Sequence, residues 1–461
     1  MRAVVIGGGI SGLSAAWTIH RALPQIEVVV LEAAGDVGGK LRLAEVAGIP
    51  VDVGAEALLV ARPEGVELID ELGLSADRIA PSATAAAVFA GGIRHPLPAK
   101  TLMGIPGSAE AVRASGLLST PALAAIEAEP SRPPLTPLHD DVAVGALVRD
   151  RLGDEVADRL VEPLLGGVYA GRADDLSLHA TVPALAAALR DGGSLVRAVA
   201  SVADRGTRSP DAGPVFTSLA GGLGRLTAAL AATAAFDVRT GTTARRIRRT
   251  SAGFVVDCGP VPASLSLDAD AVVVAVPPGK AARLLAETAP TACADLAAVP
   301  TASVAIVTLA FADVVPPPGS GLLVAAGEPF ATKGITVSSQ KWPMRSGGLT
   351  VLRGSVGRAG DESVLQRGDG ELIDLVRAEL RPLLGIAADP VDALVTRWGG
   401  GLPQYRVGHV ARMARVRAAV AEVPGLAVCG AAFDGVGIPA CIAAARLAAE
   451  RVVAALTVRG Q

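Results

Sequence analysis

The sequence predicts an α/β protein of two or three domains: a parallel-sheet domain in pieces along the chain, a second domain on a mixed sheet, and a mainly helical insertion. Three observations lead there. Residues 2–6, Arg-Ala-Val-Val-Ile, have the short pattern of a buried strand; a glycine turn, a helical stretch over 13–23 stopped by Pro24, and an apolar run over 28–31 follow at once. This is a βαβ unit, which implies parallel strands joined by a right-handed crossover. The C-terminal residues return to the same order, with a strand over 426–428, a glycine turn over 430–437 and a helix over 442–456. Between them, residues 303–311, 334–339 and 349–356 alternate or run apolar like strands of another sheet.

At 461 residues the chain exceeds one ordinary domain. It is 51% hydrophobic but only 3% aromatic, so the excess lies in Ala and Val. No run of about eighteen apolar residues, the length a membrane span needs, lacks a charge or a Gly/Pro cluster. The nearest candidate, 426–449, carries Asp434, several glycines and Arg446, and reads as packed interior. Strand-like residues begin at Ala3, leaving no room for a basic, then apolar, leader; a cytoplasmic protein is expected. Cys258, Cys293, Cys429 and Cys441 form no CxxC pair, so neither a metal site nor a disulfide framework is expected. A net charge of −3 gives no electrostatic case for nucleic acid.

The chemistry starts at Gly7-Gly8-Gly9-Ile10-Ser11-Gly12. This GxGxxG turn follows a strand and opens a helix, and Glu32 stands twenty positions beyond Gly12. That context makes it a dinucleotide site. Gly7 permits the tight turn, Gly9 admits a pyrophosphate, and Gly12 lets helix and strand pack closely. The free N–H groups and the helix dipole attract phosphate. Glu32, with Ala33 beside it, would accept hydrogen bonds from the adenosine ribose. Next come Gly38-Gly39-Lys40, a second close-approach turn with a cation for phosphate. Asp52-Val53-Gly54-Ala55-Glu56-Ala57 then suits a strand end lying along a flat ring. A nicotinamide enzyme needs neither element, so FAD is the expected cofactor.

The run from Glu32 through Gly38-Gly39-Lys40 to Gly54-Ala55 resembles the flavin amine oxidase and protoporphyrinogen oxidase superfamily, and the resemblance spans the chain. Glu162-Pro-Leu-Leu-Gly-Gly167-Val-Tyr-Ala-Gly171, followed by Leu176-Ser177, resembles the mid-chain signature of protoporphyrinogen oxidases. Residues 221–226 and 241–247 look like the return to the flavin domain, with Ala244 near the adenine. Ser338-Ser339-Gln340-Lys341-Trp342-Pro343 resembles a segment of the bacterial branch. Trp398, Pro403-Gln404-Tyr405 and Gly408-His409 match a further motif, and 430–442 looks like the closing turn, with Val436, Gly437 and Ile438 beneath the isoalloxazine. The resemblance implies a Rossmann-like FAD-binding domain (1–50, 215–285, 395–461), a mixed-sheet substrate domain (51–83, 175–214, 286–394) and a helical insertion (84–174). The Pro/Gly-rich start of the insertion is a candidate membrane-facing surface.

The similarity is to the Gram-positive type of protoporphyrinogen/coproporphyrinogen III oxidase. It implies oxidation of a porphyrinogen in haem biosynthesis, with molecular oxygen as acceptor, hydrogen peroxide as by-product and a downstream haem-pathway enzyme as partner. Coproporphyrinogen III is favoured over protoporphyrinogen IX. The sequence fits in what it lacks, since no Ser/His/Asp set, metal cluster or carboxylate dyad stands out and FAD supplies the redox step. Gly167 is expected to line a slot for the flat substrate, or else to cap a helix. Arg94, Lys100, Arg172, Lys333, Lys341 and Arg345 are candidates for its carboxylates. The alternatives are an amine oxidase or carotenoid desaturase of the same superfamily, or a binding protein without redox chemistry. Tyrosines only at 169 and 405 weigh against an amine-binding aromatic cage, and intact Gly38-Gly39-Lys40 and Gly437 weigh against a flavin-free protein.

Overall fold

Short strands apolar on both faces build the parallel sheet. The structure, a computed structural model, describes residues 1–206, 213–234, 236–343 and 346–459, so residues 207–212 of the expected substrate domain lie outside it. The sheet order is Asp237–Arg239, Glu27–Leu31, Arg2–Ile6, Ala271–Val274, Leu426–Val428, with every pair parallel. Ala3, Val5, Val28, Val30 and Val273 face the core shared with helices Ile10–Ala22 and Ile438–Arg459. Val4, Ile6, Val29, Leu31 and Val272 face the opposite core, which helices Pro278–Leu285, Pro290–Ala297 and His409–Ala421 help to close. Burial on both faces explains why these strands read as continuous apolar runs. The strand Ala271–Val274 is followed directly by Ala275 and Val276, which line the cleft described below.

A second, seven-stranded sheet is mixed, in the order Asp392–Pro403, Thr301–Phe311, Thr350–Val356, Thr332–Val337, Gly321–Val324, Ala86–Ala90, Ile93–Pro96. Its one parallel pair joins Gly321–Val324 to Ala86–Ala90. Helix Asp369–Leu384 covers one face through Leu372, Val376, Leu380 and Leu383. Two segments group differently from the expected division. The edge strand Asp392–Pro403 pairs along Thr301–Phe311, so Trp398 belongs to this sheet. Ala86–Ala90 and Ile93–Pro96 are strands of it too, and the helical layer starts at Ala109.

That layer, from Ala109 to Gly206, packs its helices on a core of its own. Ser108, Ser119 and Ser177 cap helix starts, their hydroxyl oxygens accepting from the N–H groups of Ala111, Ala122 and Ala180. One carboxylate ties the layer together. Glu129 is fully buried and accepts from Arg151 Nε and Nη2 at 2.9 and 2.7 Å and from the amides of Leu195 and Val196 at 2.9 and 3.2 Å. Burial pushes its pKa up, but bonds from Ser194, Leu195, Arg151 and Val196 outweigh that and hold it below its ordinary value. Glu129→Gln leaves the Arg151 guanidinium buried without a counter-charge, and a loss of about 3–5 kcal/mol is expected. Because the folded pKa is lowered, this stabilisation is present above the ordinary glutamate range and disappears as pH falls through the folded value. Melting curves of the two proteins should therefore differ most near neutrality and converge in acid; a gap that persists in acid would contradict the assignment. Among the described residues no helix is long and apolar enough to cross a membrane.

Candidate functional site

A cleft of about 820 Å³ runs from the glycine turn to the helical layer. Its first wall is the turn itself. Gly7 sits at φ +114°, its N–H bonded to Leu31 O at 2.8 Å. A Cβ at Gly12 would stand 1.8 Å from Gly7 O, so helix and strand touch backbone to backbone there. Gly38 N–H bonds Gly8 O at 2.8 Å, which brings the two glycine turns side by side, and Gly9 pairs with Gly38 in a parallel bridge. Glu32 closes this end: its carboxylate accepts from the N–H groups of Gly8 and Ala34, both at 2.7 Å. Thr242 N–H bonds Glu32 O at 2.8 Å and brings Ala244 to the same end.

The strap from Asp52 to Glu56 is held from three directions. Asp52 accepts from Leu223 and Gly224 N–H at 2.8 and 3.0 Å. Burial pushes its carboxyl up to about 6 against those two bonds. Trp398 Nε1 donates to Val53 O at 3.0 Å and Arg353 Nη2 to Gly54 O at 2.6 Å. Ala55 N–H bonds Lys40 O at 3.0 Å, and a Cβ on Gly54 would lie 2.0 Å from that oxygen. Glu56 accepts from Lys341 Nζ at 2.7 Å and Arg353 Nη1 at 2.6 Å. Burial raises its pKa, but the two cations outweigh burial and bring it down to about 2. Lys40 points the other way: it lines the cleft, and burial pushes its ammonium down.

Of the expected contacts, Gly7, Gly9, Ile10, Ser11, Glu32, Ala33, Gly39 and Lys40 line the cleft, as do Gly54, Ala55, Gly167, Ala244, Trp398, Val436 and Ile438. Gly8, Gly12, Glu56, Ala57 and Gly437 do not. Gly8 binds Glu32, Gly12 packs on Gly7, Glu56 turns into its ion pairs, and Gly437 O accepts from Cys441 N at 3.0 Å. Gly167 is no helix cap: helix Glu162–Tyr169 ends on Ala170, which takes the left-handed position at φ 47°, while a Cβ at Gly167 would meet only Leu323 at 3.6 Å. Among the candidate cations, Lys341 is committed to Glu56. Lys333 Nζ donates to Phe330 O at 3.1 Å and lies 3.5 Å from Asp361. Among the described residues no ion pair is made by Arg94, Lys100 or Arg172, and all three are exposed. Arg345 lies outside the described residues.

Sequence reasoning missed Val304, Ile306, Val168, Gly401, Leu402 and Cys441, which also line the cleft. Alternation marks Val304 and Ile306 as sharing a face but not which face; Gly401 stands in the quoted motif region, and nothing marked Cys441. The donor set suits a dinucleotide bearing a flat ring: backbone N–H groups and Lys40 for phosphates, an acid at one end, and apolar or glycine surface at the other. A model of the family described as flavin containing amine oxidoreductase matches residues 10–453.

The chain belongs to that family. As a flavin-containing amine oxidoreductase it is an enzyme whose cofactor is FAD. It is 40% identical to the coproporphyrinogen III oxidase of Mycobacterium tuberculosis over 98% of this chain and 97% of that one. The Bacillus subtilis enzyme of the same name is 32% identical, over 95% of each chain. A solved structure from Exiguobacterium sp. 255-15, assigned as a protoporphyrinogen oxidase, superposes with a TM-score of 0.86 at 31% identity over 98% of both chains.

Proposed function

We propose that this flavoprotein oxidises a porphyrinogen to a porphyrin in haem biosynthesis, coproporphyrinogen III in preference to protoporphyrinogen IX, with oxygen as the final acceptor. The observation that carries the reading is the cleft wall at Gly167 and Gly400-Gly401, where backbone stands in place of side chains beside Val304, Ile306 and Leu402. Such a wall leaves width for a flat macrocycle. The names of the relatives support the same reading, as does the charge of the lining. Among the described residues its one carboxylate is Glu32, which closes the glycine-turn end, so a cationic amine beside Gly167 would find no counter-charge.

Bound FAD supplies two-electron acceptor chemistry. Gly7, Gly9, Gly39 and Lys40 would hold its phosphates, and Glu32 its adenosine ribose. The strap at Gly54-Ala55, fixed by Arg353 and Trp398, would orient its ring. Val304, Ile306, Val436 and Ile438 exclude water from the reacting carbons. No residue of the chain need change redox state. Six electrons and six protons leave the porphyrinogen in three rounds, and three oxygen molecules carry them off as hydrogen peroxide. A substrate with four carboxylates dissolves in the cytoplasm, where we place the reaction, any membrane contact being peripheral.

Anaerobic mixing tests the reading. The flavin should bleach fastest with coproporphyrinogen III, more slowly with protoporphyrinogen IX, and not on that timescale with primary amines. Fast bleaching by an amine beside slow bleaching by both porphyrinogens would overturn it.

A further inference from the structure

Gly167 and Val168 sit on the last turn of helix Glu162–Tyr169, a helix end with little of its own to hold it. It is preceded by a π-helical turn, Ala157–Val161, and followed by Ala170 in a left-handed conformation that alanine disfavours. Val168 is 45% exposed. Other elements must therefore fix where this wall stands.

Three contacts do so. Glu162 accepts from Arg358 Nη1 and Ala173 N–H, both at 2.7 Å, and steadies the start of the helix. Ala359 N–H bonds Ala170 O at 2.8 Å. At the helix end itself, Gln404 Nε2 donates to Tyr169 O at 2.7 Å and to Leu402 O at 3.2 Å. Gln404 is 3% exposed, and its own N–H bonds Pro300 O at 2.8 Å. A Cβ on Gly171 would lie 2.4 Å from Gln404 Oε1, so the amide is wedged between the two segments. Leu402 and Pro403, immediately before it, line the same cleft as Gly167 and Val168.

We infer that Gln404 is a positioning residue that sets the gap between the Gly167–Val168 helix end and the Gly400–Pro403 wall, and through it the seating of the macrocycle. The inference rests on the porphyrinogen reading for its substrate, not for its geometry. Gln404 does not line the cleft, and the two N–H groups of one amide bridge the two walls. The same amide chemistry gives a specific test. Gln404→Glu keeps the shape, yet its carboxylate has no proton to donate and faces two carbonyl oxygens. Protonated, it regains one donor toward Tyr169 O. Burial raises the pKa of such a carboxyl, so the switch falls above the ordinary glutamate range.

The experiment compares wild-type and Gln404→Glu holoenzymes by anaerobic stopped-flow with coproporphyrinogen III across pH. The variant-to-wild-type ratio of flavin reduction rates is expected to drop about tenfold to a hundredfold in alkali and recover in acid. FAD content and reduction by dithionite, a small reductant that needs no slot, should match wild type. His409, stacked on Tyr405, and the Glu162–Arg358 ion pair are the same in both proteins, so their effects cancel in the ratio. Gln404→Asn, too short to reach Tyr169, should lose rate without recovery in acid, and it serves alone if the glutamate variant does not fold. A ratio near one at every pH, or a loss that follows FAD content, overturns the inference. Hydrogen exchange of the holoenzymes separates this from the substrate reading. Faster exchange at Ala359 N–H in alkaline Gln404→Glu supports the clamp even if wild type ignores porphyrinogens, and unchanged exchange refutes the clamp even if wild type oxidises them.

Discussion

Gly12→Ala is expected to give a protein that carries almost no flavin. An alanine methyl at this position would stand 1.8 Å from Gly7 O and 2.9 Å from Gly7 C, far inside contact distance. Neither side can yield cheaply. Gly7 is tied to Leu31 O through its N–H, and a Cβ at Gly7 would already meet Ala275 O at 2.5 Å, so the turn is pressed against the next strand. The helix must therefore lift, which takes its N-terminal N–H groups away from the phosphate position and opens the Gly8–Gly38 contact that aligns the second glycine turn. Overpacking of this kind costs about 1–3 kcal/mol in side-chain cores, and rigid backbone puts this site at the upper end. The seven-stranded sheet and the helical layer have cores of their own and should survive. Visible absorbance of the purified variant before and after incubation with FAD is the measurement. A flavin content close to wild type would mean that the helix shifts without loss of the site.

How much of this was legible depended on how local the cause was. The Gly7–Gly12 turn, Gly38-Gly39-Lys40 and the alternating strands each state their role within a few residues, and the parallel sheet, the mixed sheet and the cofactor followed. The grip on Gly54 was not legible. Arg353 Nη2 and Trp398 Nε1 reach Gly54 O and Val53 O across 299 and 345 residues of sequence, and neither stands in a pattern that names its partner. Glu56 shows the same limit: adjacent to cleft-lining Gly54 and Ala55 it was expected to touch the cofactor, and its sequence gives no sign of the ion pairs that Lys341 and Arg353 make with its carboxylate. Trp398 was grouped with the parallel domain because the resemblance placed its motif there; its strand pairs with Thr301–Phe311. Buried charges such as Glu129 were invisible for the opposite reason, since a lone glutamate in sequence looks like surface.

Gly167→Leu is expected to abolish most porphyrinogen turnover while leaving the flavin in place. The structure makes this sharper than a general argument about small residues. Gly166 and Gly167 are neighbours with different surroundings: a Cβ at Gly166 would meet Gly171 O at 3.1 Å, inside the fold, whereas one at Gly167, which lines the cleft, would meet only Leu323 Cδ2 at 3.6 Å. Alanine at 167 should thus fit, and it should stabilise the helix by about 0.5–1 kcal/mol, because glycine gives up more backbone freedom on folding. Leucine adds a branched side chain, which is expected to fill the slot that Gly167 lines. A macrocycle displaced by an ångström loses rate on the order of a hundredfold, and an occluded one loses more. The two glycine turns, the strap and Lys40 lie on other elements, so flavin content, its spectrum and dithionite reduction should match wild type. The series Gly, Ala, Leu separates the causes. A helix defect would move Tm with each step, whereas a blocked slot leaves Tm level or higher and costs turnover at the leucine step. Near-normal porphyrinogen oxidation by Gly167→Leu would place the macrocycle against a different wall of the cleft.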